Sequence, residues 1–349
     1  MGAMTKRRRS VVAGSVAVAA AVGAAAAVIP AATDEGSDPG RGRGSGQVHG
    51  SVQVQGSGHE SATILAAGLN GANEVPVAGG PAVGDKDGTA LQFVKVSGDQ
   101  VSFAVKWRGT ARPTALHIHQ GAKGANGGIK VDFTELLADA RGGAKGHGAK
   151  VGGAKGGLKD HSATGTVTVT DQALLRQLSS APNGFYVNLH TAEFPGGAVR
   201  GQLHKVTDPF NFRKALSGFQ ASVIKGRQIY ECKKGDDGKL TFQQRDVRAV
   251  LGGNIVHSFV APNSGTPQWI APDGSAVTGE VISRTPNGAA NIPELGLKAT
   301  RSGKRHGLLA RSAEILRLNT VGGVAPAGGC EAGAVVGVPY LADYVFVPR

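Results

Sequence analysis

Apolar and β-branched residues recur along this chain in short runs, separated by glycine, proline and asparagine. Runs of that length and punctuation predict strands at 63–69, 89–96, 100–107, 114–119, 166–169, 185–190 and 198–203. A second set follows at 219–224, 227–232, 239–243, 255–260, 277–283, 315–320 and 340–347. One segment, 172–178, reads as a short helix with Thr170 or Asp171 as its N-cap. The fold class is therefore all-β, with a β-sandwich in the first half and a second β-rich domain after it. The 55 glycines and the 5% share of aromatics fit short strands joined by many turns and exclude a helix bundle.

The pattern breaks down in two places. At the N-terminus, Lys6, Arg7, Arg8 and Arg9 precede an apolar run from Val11 to Ile29, and Ala31 and Ala32 follow. This reads as an export signal over 1–32, with Arg8 and Arg9 loosely fitting a twin-arginine type. The run is long enough to span a bilayer, but its alanine, glycine and valine content favours cleavage over a retained anchor. Residues 33–60, rich in Gly, Ser, Asp and Gln, read as a flexible linker. The expected location is secreted or extracellular, with no stable membrane span after cleavage. Inside the first domain, 139–160 repeats GlyAlaLys at 143–145, 148–150 and 153–155 around His147. Such a segment buries too little apolar surface to fold by itself, so it reads as a solvated Gly/Lys-rich loop. Its lysines offer the alternative of a polyanion-binding arm. The net charge of +13 favours anionic cell-wall or extracellular polymers as partners. Export and the lack of interleaved aromatics argue against nucleic acid.

Candidate chemistry centres on two segments, AlaLeuHisIleHisGlnGly at 115–121 and PheTyrValAsnLeuHisThr at 185–191. His117 and His119 are two apart, so on a strand they share a face, and His190 lies in a strand that can run beside them. Three imidazoles suit copper or zinc and leave an open coordination position. They equally suit a hydrogen-bonded structural cluster. Glu74 and Glu193 are candidates to orient the rings.

From about Ala62 to Lys205 the chain resembles the chordin-type domain, CHRD. The resemblance rests on AsnGluValPro at 73–76, HisIleHis with Gly121, AsnGly at 126–127, and TyrValAsnLeuHisThr followed by GlyGlyAlaValArgGly. It implies a Greek-key-like β-sandwich over 61–206. The motif order is also distantly similar to the copper/zinc superoxide dismutase sandwich. That similarity implies His117, His119 and His190 as copper ligands and Arg200 as a guide near them. The chain departs from it in having no histidine between His119 and His147 to bridge a zinc ion, and no zinc-loop cluster.

Residues 207–349 form the second domain. Cys232 and Cys330, an even pair in an exported chain, read as a disulfide. This half resembles a secreted bacterial and fungal family of unknown function through GlnIleTyrGluCys at 228–232, ThrProGlnTrpIleAlaProAspGlySer at 266–275, IlePro at 292–293, ArgLeuAsnThrValGlyGlyValAlaPro at 317–326 and ValProTyrLeuAlaAspTyrValPhe at 338–346. Asp273–Gly274–Ser275 reads as a turn, with no Gly-x-Ser-x-Gly elbow near it. Trp269, Tyr230, Tyr340 and Tyr344 read as core packing, with a sugar-stacking platform as the alternative. No catalytic residue is assigned. The sequence reading is an exported two-domain protein with a binding or structural role at or outside the cell surface. Its alternative is a copper-binding domain with superoxide dismutase-like or electron-transfer chemistry.

Overall fold

A computed structural model describes residues 62–137, 152–153, 161–207 and 210–349. The export signal over 1–32, the linker over 33–60 and all of the Gly/Lys-rich loop except Gly152 and Gly153 lie outside the described residues.

The first sheet is built from β1 (Thr63–Asn70), β2 (Thr89–Ser97), β3 (Gln100–Arg108), β4 (Pro113–Gln120) and β5 (Ile129–Asp132). It continues with β6 (Gly152–Gly153), β7 (His161–Thr168), β8 (Phe185–Thr191), β9 (Val199–Gln202) and β10 (His204–Val206). Nine strands run in the order β5-β4-β8-β9-β1-β2-β3-β7-β6, and β10 pairs with β1. The layers of a sandwich are thus supplied by one ten-stranded sheet rolled into a half-barrel around a single core. Strand alternation fills that core: Leu65, Ala67 and Leu69 of β1, Val101, Phe103, Val105 and Trp107 of β3, and Phe185, Val187 and Leu189 of β8 all point into it. The helix α1 (Gln172–Ser180) closes one end with Leu174, Leu175 and Leu178. Its N-cap is Asp171, whose Oδ1 accepts from the Leu174 amide at 2.9 Å.

The second domain is a closed eight-stranded barrel. Its strands are β11 (Phe219–Lys234), β12 (Leu240–Leu251), β13 (Ile255–Phe259), β14 (Pro267–Ile270), β15 (Ala276–Thr285), β16 (Glu294–Arg301), β17 (Ser312–Gly322) and β18 (Val335–Pro348). Strands β14 and β16 escape the sequence pattern. Pro267 opens β14, which is only four residues long, and Gly296 interrupts β16. Trp269, Tyr230, Tyr340 and Tyr344 are all buried, which makes them packing groups rather than an exposed platform. His257 stacks on Trp269 with ring centres 4.4 Å apart, and its Nδ1 bonds the Gln268 carbonyl at 2.8 Å. Asp273–Gly274–Ser275 is a turn, with Asp273 Oδ1 accepting from the Ser275 amide and Gly274 at φ 82°. Cys232 and Cys330 form a disulfide.

The two sheets share an apolar seam. Ala66, Leu91, Phe93 and Ala104 pack with Leu316, Leu318, Val345 and Val347 of the barrel wall. Asp343 latches the rim of this seam by accepting from Asn70 Nδ2 at 2.7 Å and Asn319 Nδ2 at 2.8 Å.

Candidate metal centre

The alternation that sends Leu116 and Ile118 of β4 into the core turns His117 and His119 to the opposite face. Strand β8 does the same, burying Val187 and Leu189 and turning Tyr186, Asn188 and His190 outward. The register sets His119 opposite Tyr186, His117 opposite Asn188, and Ala115 opposite His190. Asn188 and Tyr186 are in turn opposite Arg200 and Gln202 of β9. All three histidines therefore lie on one face, and one ring nitrogen from each lies within 4.8 Å of those of the other two.

Each ring has one nitrogen held from outside the cluster. His119 Nδ1 bonds the Gly127 carbonyl at 2.9 Å. His190 Nδ1 bonds the Pro195 carbonyl at 3.0 Å. His117 Nε2 lies 3.1 Å from Thr134 Oγ1 and 3.4 Å from Asp132 Oδ1. A carbonyl oxygen only accepts, so His119 and His190 carry their protons on Nδ1 and leave Nε2 bare. Asp132 assigns the proton of His117 to Nε2 by the same reasoning, leaving Nδ1 bare. The other tautomer of His117 would place a proton between the two rings, but it would turn a lone pair toward the carboxylate.

The three unprotonated nitrogens are then His117 Nδ1, His119 Nε2 and His190 Nε2. The first and third stand 3.2 Å apart. His119 Nε2 is buried and has no hydrogen-bond partner. Imidazoles with one nitrogen held by carboxylate or carbonyl and the other unengaged match the support that metal-ligating histidines receive. Burial is the largest influence on all three rings and lowers their proton affinity; His117 is pushed down to about 4. The rings are therefore neutral at neutral pH, the form a metal needs. A tetrahedral centre with bonds of about 2.0–2.1 Å sets its nitrogens about 3.3 Å apart. The His117–His190 pair already has that spacing, at 3.2 Å.

Arg200 is 1% exposed and lies behind Tyr186, so it stands back from the cluster. Its guanidinium carbon is 3.4 Å from the centre of the Tyr186 ring, and His119 stacks on Tyr186 at 4.8 Å. Strands β4 and β9 flank β8 on opposite sides, so the tyrosine is held between imidazole and guanidinium. Arg200 also donates to Asn126 Oδ1 at 2.9 Å and to the Ala125 carbonyl at 2.6 Å. Gln202 holds the Gly121 carbonyl at 2.7 Å. The loop from Gly121 to Gly128 is thereby fixed over the sheet, and Gly127 presents its carbonyl to His119. A side chain at Gly127 would put its Cβ 1.7 Å from the Gln120 carbonyl, so the position requires glycine.

Glu74 belongs to the Arg200 network rather than to the histidines. Its Oε2 accepts from Asn188 Nδ2 at 3.4 Å, and burial raises its carboxyl to about 7 against the pull of Arg200. Glu193 is exposed. The groups that hold the rings are Asp132, Thr134 and the carbonyls of Gly127 and Pro195. Two of the four are backbone atoms, which carry no residue-type signal. Asp132 stands opposite His117 only because Ile129–Asp132 is a strand, a run too short to predict.

Comparison with known families covers both halves. The CHRD domain family matches residues 65–203. The family described as a protein of unknown function (DUF3455) matches residues 248–347. No curated protein and no solved structure matches the chain.

Proposed function

We propose, for a chain that carries a CHRD domain followed by a DUF3455 domain, that it is an exported binding protein whose first domain holds one copper-class metal ion. The observation that carries this reading is the set of three histidines with one ring nitrogen from each within 4.8 Å of the others, two of them 3.2 Å apart. His117, His119 and His190 are the ligands. Asp132, Thr134, Gly127 and Pro195 fix the ring orientations, and Arg200 positions the loop above them. Among first-row divalent ions a nitrogen site binds copper most tightly, which favours copper over zinc. Three protein ligands leave a position for water or for a donor from a partner. Elemental analysis of protein purified from culture medium tests the reading, with close to one copper per chain expected.

Export is supported by the basic and apolar N-terminal pattern and by the disulfide, a bond suited to oxidising compartments. No helix among the described residues is long and apolar enough to cross a membrane. The charge of +13 supports anionic cell-wall or extracellular polymers as partners. A second reading is superoxide dismutase-like or electron-transfer chemistry, favoured by the open coordination position. The histidine trio is the one three-residue metal cluster among the described residues. A copper site without a zinc neighbour favours binding over dismutation, and superoxide decay in the presence of the copper-loaded protein distinguishes the two.

A further inference from the structure

The barrel interior contains a cavity of about 90 Å³ with a marked excess of hydrogen-bond donors along its wall. Arg317 is the first. On β17 the apolar neighbours Leu316 and Leu318 face the seam between the sheets, while Ile315 and Arg317 face the barrel interior. Arg317 is only 9% exposed. Its Nε and Nη2 donate to the Pro293 carbonyl at 3.2 and 2.8 Å. Among the described residues no carboxylate forms an ion pair with it. A buried guanidinium without an anion is strongly disfavoured.

Two further donors line the same cavity. Trp269 and Gln228 are each 1% exposed, and Trp269 Nε1 and Gln228 Nε2 are buried with no acceptor. The indole nitrogen can only donate. The Gln228 amide is oriented because its Oε1 accepts from Gln244 Nε2 at 2.7 Å, which leaves its NH₂ as the unused end. No aspartate or glutamate lines the cavity. Water can satisfy a neutral N–H, but the arginine charge calls for an anion. Gln244, His257 and Tyr344 add polar groups to the wall, while Val247, Leu295 and Leu297 supply an apolar stretch of it. Exposed Val281 and Arg284 mark its open side, where β15 carries a register shift.

We infer that this cavity binds a short-chain carboxylate, its head group on Arg317, Trp269 and Gln228 and its tail against Val247, Leu295 and Leu297. The space of about 90 Å³ is small, which suits a head group and short tail of a few heavy atoms. The apolar stretch of Val247, Leu295 and Leu297 beside the donors favours a carboxylate with a tail over an inorganic oxyanion.

The test is titration of the full exported protein with sodium propionate, following the two tryptophan indole N–H signals by nitrogen-proton NMR. The Trp269 signal is assigned by its loss in Trp269→Phe. The expected result is a saturable shift of that signal, with affinity at least tenfold weaker in Arg317→Gln. Propanol, with the same tail and no charge, should leave the signal in place, and inorganic phosphate should bind more weakly than propionate. Should Arg317→Gln fail to fold, thermal melting of Trp269→Phe replaces it: propionate should raise the wild-type midpoint by at least twice as much as that of the variant. An indole signal unmoved by propionate, equal affinity in Arg317→Gln, equal midpoint shifts in wild type and Trp269→Phe, or tighter binding of phosphate would each overturn the proposal.

Discussion

His190 Nε2 and His117 Nδ1 face each other at 3.2 Å, and the second nitrogen of each ring is engaged by an oxygen. Two lone pairs at that distance repel unless a proton or a metal ion lies between them. His119 Nε2 is buried without a partner, and one ring nitrogen from each of the three histidines lies within 4.8 Å of the other two.

The oxygens behind the rings are therefore expected to tune the site. Asp132→Asn and Thr134→Val leave all three ligands in place but loosen the hold on His117 Nε2. Each should weaken copper binding about 10–100-fold, read by competition against a chelator of known affinity. Unchanged affinity in both would show that Asp132 and Thr134 do not orient the ring.

Glu74 gives a pH dependence of definite sign. Burial raises its carboxyl from 4.5 to about 7 in the folded chain, so the folded state holds the proton more tightly than the unfolded state. Its contribution to stability is full below about pH 4.5 and is lost as pH rises through about 7. Glu74→Gln keeps the neutral shape and removes the titration. At pH 8 the variant should be more stable than wild type, by on the order of 2 kcal/mol, and near pH 4.5 the difference should largely vanish. Denaturant unfolding at the two pH values checks this, and a pH-independent difference would contradict it.

The Cys232–Cys330 bond spans 98 residues and ties β11 to the long loop before β18. In the chain-entropy description a loop of that length stabilises the fold by about 4–5 kcal/mol. Cys330→Ala should lower barrel stability on that scale, and peptide mapping without reductant should recover the two cysteines as one linked pair. Two free thiols in protein handled without reductant would contradict the assignment.

Much of this architecture is legible in the sequence because strand periodicity states which face each residue occupies. His117 and His119 share a face by their spacing alone, and the burial of Leu116 and Ile118 on the other side follows from the same alternation. The helix at 172–178 is legible because Asp171 can cap it, and the pair Cys232 and Cys330 because the chain has only those two cysteines. Closure of the barrel depends on the pairing of β11 with β18, a contact across more than a hundred residues that no local pattern encodes. The single rolled sheet of the first domain is hidden for the same reason, since β1 joins β9 through the one pair Asn70 and Arg200. The place of Arg200 also depends on tertiary contacts. Motif order suggests a guide near the metal, whereas the structure stacks it on Tyr186, where it pins the loop that carries Gly127. The charge of Arg317 shows in the sequence, but its seat inside a barrel without an acid partner does not.

Equilibrium titration of copper into wild type, His119→Ala and His190→Ala, with the protein at matched concentration near neutral pH, tests the central claim most directly. Wild type should bind one tight equivalent, both variants should lose it, and wild type should release it on acidification as protons compete for the imidazole nitrogens. Equal uptake by all three proteins would contradict it and leave the histidines as a structural cluster.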